Sequence, residues 1–352
     1  MTYQKRMDDL LCGLRKRDSV KILAIETSCD ETAAAVVENG RNVLGSMLYS
    51  QIAIHREFGG VVPEIASRNH TDKLPYITDG ALRDAGLDKS EIDAVAVTAG
   101  PGLVGALLTG VAYAKAFAYG LGKPLIAVNH MEGHIAANYI THKELEPPFI
   151  CLIVSGGHTT IVHVRGYGEY KTLGETRDDA AGEAFDKIAR VLGMPYPGGP
   201  NLERLAVTGD ENAYLFPKSF KGETHLDFSF SGVKTAVINL LHHMEQKGEQ
   251  YDRADVAASF QKAIVSVLVE NTVEAARRTG AEKIVLAGGV SANGYLREAM
   301  AKAAGDKFRL YLPDVNLSTD NGAMIGAAAY YTMKNGSAAG LELNADPAFE
   351  VF

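Results

Sequence analysis

His130 and His134 stand four residues apart in the segment AVNHMEGHIAANY, which runs from Ala127 to Tyr139. On a helix that spacing puts both side chains on one face, with Cβ atoms roughly 5–6 Å apart. Two imidazoles so placed suit one metal ion; a merely polar helix face is the plainer alternative. The zinc-protease signature H-E-x-x-H puts its general-base glutamate directly after the first histidine. Here the glutamate, Glu132, comes one place later. At about 100° per residue it lies roughly 200° round the helix from His130, away from the histidine face. The spacing therefore supports a metal and opposes the protease chemistry.

A metal needs a third ligand. Asp320 stands in LSTDNGAMIGAAAYY, just before an Ala/Gly-rich helix. A helix N-cap is its default role. If that helix start faces a ligand cleft, two histidines and one carboxylate would leave metal positions open to substrate, as Lewis-acid chemistry requires.

Several Gly-rich turns follow apolar strands. SGGHT (Ser155–Thr159) is one, and AGGVSANGYLRE (Ala287–Glu298) leads into a helix whose N-terminus could take an anion or nucleotide. AGPGLVGALLTG (Ala99–Gly110) serves mainly close packing. FSFSGVKT (Phe228–Thr235) looks a little like the end of a phosphate-binding loop, but Val233 separates Gly232 from Lys234 and the upstream glycine is missing. Asp186 and Lys187 lie on an amphipathic helix that is either a solvated face or a source of a carboxylate for ligand hydroxyls.

The elements that would position these residues read as α/β, written twice. From Val20, KILAIE, AAAVVE and VLGSML are strands, with Asn39-Gly40 a hairpin turn. A helix from about Val62 to Leu87, strand AVAVT, a helix from Leu103, strand LIAV and a helix over His130–Ile140 follow. After Glu146-Pro147-Pro148 the plan restarts with FICLIV, TIVHV and YKTLGE, then a helix from near Asp178. A helix over Asp255–Arg278, strand KIVLAG, a helix from Asn293, strand FRLYL and a helix from Asn321 complete it. Both halves read βββαβαβα, which predicts two lobes with a ligand cleft between them. The expected division is a charged extension over 1–19, a first lobe over 20–146 and a second over 147–352, with a mostly helical insertion at about 198–251. The polar hairpin turns ETSCDET and VSGGHTT could clamp phosphates across the cleft.

Composition limits the alternatives. The chain has 352 residues, 46% of them hydrophobic, enough for a large core and two domains. Its formal net charge of −8 opposes whole-surface nucleic-acid binding but leaves room for a local basic strip. Arg56, Arg68, Arg165, Arg177 and Lys187 are candidates for such a strip, with plain surface charge as the commoner role. Cys12, Cys29 and Cys151 are odd in number and form no C-x-x-C, so they are expected to be reduced thiols in a cytoplasm. The most apolar stretch, Leu103–Leu121, is interrupted by Gly105, Gly110, Lys115 and Gly120 and is expected to be a buried helix, not a membrane span. Met1–Ser19 lacks the apolar core of a signal peptide and is expected to be poorly ordered or a short surface helix.

Ten segments taken in order, IETSCDETAAAV, GGVVPEIASRNH, GPGLVGAL, NHMEGHI, VSGGHT, AGEAFDK, YPGGP, FSFSGVKT, GGVSANGYLR and STDNGAMI, closely resemble one family from about Lys21 to Tyr331. It is the tRNA N6-adenosine threonylcarbamoyltransferases in their bacterial form, once labelled O-sialoglycoprotein endopeptidases. The resemblance implies the duplicated actin-like/sugar-kinase/Hsp70 ATPase fold. It implies transfer of a threonylcarbamoyl group from threonylcarbamoyl-AMP to N6 of the adenosine beside the anticodon, in tRNAs reading codons that start with A, with release of AMP. It also implies a metal, usually described as iron and sometimes zinc, on His130, His134 and Asp320. The turn formed by Ile153, Val154, Ser155, Gly156 and Gly157 would bind the phosphate and carbamoyl end. Asp186 would hold ribose hydroxyls with Gly199 and Glu203 close by, and Asn293 would approach the adenine. The partners implied are tRNA, an inactive paralogous actin-like subunit and a P-loop ATPase.

The N6 amine must lose a proton after attack. Asp30 and Glu31, in the first hairpin turn, are candidate bases; water or the leaving phosphate could serve instead. Three other functions remain as expectations to be weighed: a metalloprotease, opposed by Glu132; a sugar or acetate kinase, which has no need of His130 and His134; and a non-catalytic actin-like scaffold.

Overall fold

The computed structural model of the chain describes residues 2–218, 220 and 225–350. Its first half contains helix α1 (Tyr3–Leu14), strands β1 (Lys21–Glu26), β2 (Glu31–Glu38) and β3 (Asn42–Ser50), helices α2 (Ile52–Arg56) and α3 (Pro63–Asp84), strand β4 (Ala94–Gly100), helix α4 (Val104–Leu121), strand β5 (Leu125–Asn129) and helix α5 (His130–Thr141). The second contains strands β6 (Phe149–Val154), β7 (Thr159–Gly166) and β8 (Glu169–Glu175), helices α6 (Ala181–Val191), α7 (Gly198–Ala206), α8 (Ser231–Lys247) and α9 (Arg253–Thr279), strand β9 (Lys283–Ala287), helix α10 (Gly294–Ala304), strand β10 (Arg309–Tyr311), and helices α11 (Val315–Ser318) and α12 (Gly322–Asn335).

The duplication expected from the sequence is visible in the strand order. One sheet runs β3-β2-β1-β4-β5 and the other β8-β7-β6-β9-β10, the same order in terms of position within each repeat. In each, the first strand pairs antiparallel with the second and parallel with the fourth. The strands that read as unbroken apolar runs are central. β4 and β6 are buried along their whole length, as strands covered on both faces must be.

The chain divides into two compact units. One takes in the chain up to Glu146, Gly166–Glu169 and the chain from Pro313; the other is Pro147–Arg165 with Tyr170–Leu312. The chain from Pro313, which a single cut after Glu146 would give to the second lobe, thus packs with the first unit. Helix α12 lies on β1, β2 and α5. Its apolar run Ala323–Ala329 is buried, and Gly322 lets it approach the sheet. A Cβ there would stand 2.5 Å from the Ala34 carbonyl carbon and 2.6 Å from the Ala35 nitrogen. This placement brings Asp320 into the unit that carries His130 and His134.

Among the described residues α4 is the one helix long and apolar enough to cross a membrane by length and composition. It packs on α3 and β4 with Ala106, Leu107, Gly110, Val111, Ala114 and Ala118 buried, while Val104, Leu108 and Tyr119 on its other face are exposed, so the helix expected to be buried is covered on one face only. The N-terminal extension is a helix with a built side. Thr2 caps it, Met7 and Leu11 are buried, and the Asp8 carboxylate accepts from Ala338 N at 3.0 Å.

Candidate metal centre and nucleotide-binding residues

Helix α5 starts sharply because Asn129 caps it. The Asn129 Oδ1 accepts from Met131 N at 2.8 Å and Glu132 N at 3.4 Å. Satisfying two of the orphan first-turn donors fixes the first turn of the helix that carries His130 and His134. Both imidazoles are buried, with ring centroids 4.6 Å apart and planes nearly perpendicular. Asp320 arrives from the other side. The default N-cap reading for it is corrected here: α12 is capped by Asn321, whose Oδ1 accepts from Met324 N at 2.9 Å. The Asp320 Oδ1 lies 3.4 Å from His130 Nε2 and 3.4 Å from His134 Nε2. One ligand atom from each of the three residues lies within 4.8 Å of the others.

The chemistry of this group fits a cation. His134 is 1% exposed, yet neither of its ring nitrogens has a hydrogen-bond partner. A buried polar atom left so costs roughly 1–3 kcal/mol, and an ion bound among the three residues would satisfy it. On His130 the Nδ1 side is occupied by Glu26 Oε2 at 3.3 Å and Ser28 Oγ at 3.1 Å. A carboxylate only accepts, so Nδ1 carries the proton and the Nε2 lone pair faces Asp320. Two acceptors facing each other need a positive charge between them, either a proton or a metal. The electrostatics agree. Burial opposes the charge on His130, but Asp320 and then Glu26 outweigh it and hold the imidazole well above its ordinary pKa. Burial would raise the pKa of Asp320, but His130 and then His134 hold its carboxyl far below the usual range. Burial pushes His134 down. Two imidazoles and one carboxylate are a common donor set for iron or zinc with positions left open.

Asp30 and Glu31 also lie in this unit, where β2 begins. Glu31 Oε1 accepts from Ser50 Oγ at 2.9 Å, while the buried Oε2 has no hydrogen-bond partner. Burial first, then the neighbouring Asp30 charge, pushes the Glu31 pKa to about 8. Burial raises Asp30 as well. Glu31 is thus mostly protonated at neutral pH in the metal-free protein, and poised to exchange a proton there.

The other candidates lie in the second unit and are tied to one another. Asp186 Oδ1 accepts from Gly198 N at 2.8 Å and Gly199 N at 3.0 Å, which caps α7 from outside, where Pro197 offers no capping side chain. At the next turn of α7, Glu203 Oε1 accepts from Gly294 N at 2.6 Å. Asn293 caps α10 through Leu296 N at 2.8 Å and donates to Gln261 Oε1 at 3.0 Å. With Oδ1 bonded to Leu296 N, Nδ2 bonded to Gln261 and 7% exposure, the side chain is held in one orientation. The α10 N-terminus, a candidate anion site by sequence, already has Glu203 and Asn293 on its amides.

The SGGHT turn lies on the start of α6. Gly182 N donates to Ser155 O at 3.2 Å, and a Cβ on Gly182 would stand 2.5 Å from that oxygen. Ile153 and Val154 are buried strand residues whose side chains point into the core, so only their backbone can meet a ligand. Gly156 and Gly157 are exposed, with open space where a Cβ would sit.

Helix α6 starts at Ala181, not near Asp178, because the two aspartates before it are engaged elsewhere. Asp178 accepts from Phe230 N at 2.8 Å and from the Ser229 and Ser231 hydroxyls, and so caps α8. Asp179 pairs with Lys187 at 2.8 Å and with Lys234. These bonds give FSFSGVKT a structural role. Among the basic candidates, Arg68 pairs with Glu64, Arg177 with Asp227 and Lys187 with Asp179 and Glu183.

Glu26 escaped the sequence reading. It ends the apolar strand KILAIE, where nothing in the spacing distinguishes it from a polar strand end.

Comparison with known proteins gives the same picture. A family model for tRNA N6-adenosine threonylcarbamoyltransferase (TsaD) matches residues 42–327. A protein of that name from Clostridium novyi (strain NT) is 58% identical over 330 residues, covering 93% of this chain and 97% of the relative. One from Clostridium perfringens (strain SM101 / Type A) is 56% identical over 328 residues, covering 93% and 96%. Among solved structures, HypF from T. kodakarensis superposes with a TM-score of 0.60 at 16% identity, covering 90% of this chain and 47% of that one. The Acidaminococcus fermentans (R)-2-hydroxyglutaryl-CoA dehydratase component A gives 0.53 at 15%, covering 90% and 99%. At such identities these structures bear on the fold alone, which is the duplicated actin-like ATPase architecture. By sequence, the chain belongs to the tRNA N6-adenosine threonylcarbamoyltransferase family.

Proposed function

We infer that the protein transfers a threonylcarbamoyl group to N6 of adenosine in tRNA. The donor we propose is threonylcarbamoyl-AMP and the acceptor the adenosine beside the anticodon, in tRNAs reading codons that start with A. The N6 nitrogen attacks the carbamoyl carbon, the new N–C bond forms, and the bond from that carbon to the phosphate oxygen breaks with its electron pair leaving on AMP. The observation that carries this reading is the convergence of buried His130 and His134 with half-buried Asp320 in a chain of this family.

An exocyclic amine is a poor nucleophile, so the carbamoyl carbonyl must be polarised. A divalent ion on His130, His134 and Asp320, Fe2+ first and Zn2+ second, would supply Lewis-acid polarisation when bound. The remaining tasks fall to the protein. We assign the proton lost from N6 to the ionised fraction of Glu31, with Asp30 beside it, because a carboxylate with a pKa of about 8 holds an incoming proton firmly near working pH. The exposed Gly156–Gly157 turn, with the backbone of Ile153, Val154 and Ser155, is assigned to the phosphate and carbamoyl end, where backbone N–H groups favour a leaving phosphate. Asp186, whose Oδ1 caps α7, is assigned to ribose hydroxyls. Gly199, Glu203 and Asn293 frame the nucleoside.

We further propose that the protein works in the cytoplasm with an inactive paralogous actin-like subunit and a P-loop ATPase. A chain with a net charge of −8 gains from sharing the tRNA footprint with partners.

The test is to supply preformed threonylcarbamoyl-AMP and unmodified tRNA to the protein with its partners. Digestion of the tRNA should yield threonylcarbamoyladenosine by mass. Absence of that nucleoside, with tRNA and partners shown competent by a known enzyme, would favour the scaffold reading.

A further inference from the structure

Strand β1 carries four apolar residues, Ile22 to Ile25, at 0% exposure, and ends in Glu26, also at 0%. Desolvating a carboxylate costs several kcal/mol. A tie between β1 and β4 could be made by neutral groups, so the charge at this position calls for another account. Three donors converge on it. Ser28 N donates to Oε1 at 2.5 Å, Thr98 Oγ1 donates to Oε2, and His130 Nδ1 lies 3.3 Å from Oε2.

We propose that Glu26 is the positioning residue of the metal centre: its carboxylate accepts the His130 Nδ1–H and so fixes the tautomer and ring plane that present Nε2 beside Asp320. Ser28 and Thr98 hold the carboxylate in turn. The Ser28 hydroxyl, 3.1 Å from the same Nδ1, is a second acceptor for that proton. The support is one-sided, because neither ring nitrogen of His134 has a hydrogen-bond partner. His130 is thus oriented before an ion arrives, and His134 is held by packing. A carboxylate behind a ligating histidine raises the basicity of the ligand, and losing such a partner typically weakens metal binding by about 10–100-fold.

This assignment rests on the metal reading of the triad, and the experiment separates the two. Full-length protein stripped of metal is titrated with Co2+, read by visible absorption and by competition with a chelator. The wild type should bind one ion, and His134→Ala should abolish binding. Glu26→Gln should weaken Co2+ binding about tenfold and Glu26→Ala up to about a hundredfold, and the absorption band should change with ligand orientation. A purely structural Glu26 would lower the urea midpoint and leave Co2+ affinity and spectrum as in the wild type. That result, in variants that fold, overturns the assignment. Failure of the wild type to bind Co2+ overturns both readings. If Glu26→Ala does not fold, the isosteric Glu26→Gln decides. The 15N spectrum of Zn2+-loaded wild type is an independent check: His130 should be protonated at Nδ1, and a proton at Nε2 would contradict the proposal.

Discussion

Glu31 sits where burial and the Asp30 charge both oppose ionisation, and its behaviour with pH follows from that. Its folded pKa, about 8, lies above the ordinary 4.5, so the folded chain holds this proton more tightly than the unfolded one. Below pH 4.5 both states are protonated and Glu31 adds no pH dependence. Between 4.5 and 8 the unfolded chain loses the proton first, so stability falls as pH rises; above 8 the deficit is constant. Glu31→Gln should therefore be the more stable protein, by an amount that grows across that window to on the order of 2 kcal/mol once solvent screening is allowed for. Urea unfolding of metal-free protein at pH 5 and pH 8 measures this, and equal differences at the two pH values would contradict it. Asp186 gives a second prediction. Asp186→Ala removes the acceptor for Gly198 N and Gly199 N and should cost about 1–2 kcal/mol, as a lost N-cap does. It should also weaken AMP binding in calorimetry. Asp186→Asn keeps the acceptor, so it should restore the stability and lose the affinity. If Asp186→Asn binds AMP like the wild type, the carboxylate has no role with the ribose.

At the scale of elements, the centre depends on how closely α12 lies on the sheet. Gly322 touches the backbone of Ala34 and Ala35, which cannot yield as a side chain can. Gly322→Ala should push the start of α12 outward, destabilise the protein by about 1–3 kcal/mol and weaken metal binding through Asp320, two residues away. Calorimetric unfolding and Zn2+ titration of the same variant read both effects, and an unchanged melting point would show that the contact relaxes freely. The elements themselves were legible in the sequence because their periods are plain. Strands of unbroken apolar residues, the Asn39-Gly40 hairpin and the restart at Phe149 gave the repeat, and the two sheets have matching strand order. The start of α6 was misplaced by three residues, because Asp178 and Asp179 look like helix-start residues but serve α8 and two lysines instead. Local sequence cannot tell a carboxylate that caps its own helix from one that caps another.

At the scale of the whole molecule, the pair His130 and His134 was legible from spacing alone. Asp320 was legible only as a candidate, with a helix N-cap as its default role: it stands far along the chain, and only the packing of α12 with the first unit brings it to the histidines. The resemblance to the family implies the same ligand, and the geometry gives it a physical basis. Glu26 was illegible for the same reason, since its significance comes from a histidine on another element. Of the basic residues proposed for a local strip, Arg68, Arg177 and Lys187 each pair with an acidic neighbour at the surface. The central claim, that the His130–His134–Asp320 centre serves threonylcarbamoyl transfer, is tested most directly by single-turnover rates. Wild type, metal-stripped wild type, metal-restored wild type and His134→Ala are each mixed with partner proteins, preformed threonylcarbamoyl-AMP and unmodified tRNA, and the modified nucleoside is followed by mass. The account predicts product from the wild type and the restored protein, and a loss of at least about a hundredfold in the stripped protein and in His134→Ala. Equal rates in all four would contradict it and reduce the centre to a structural one.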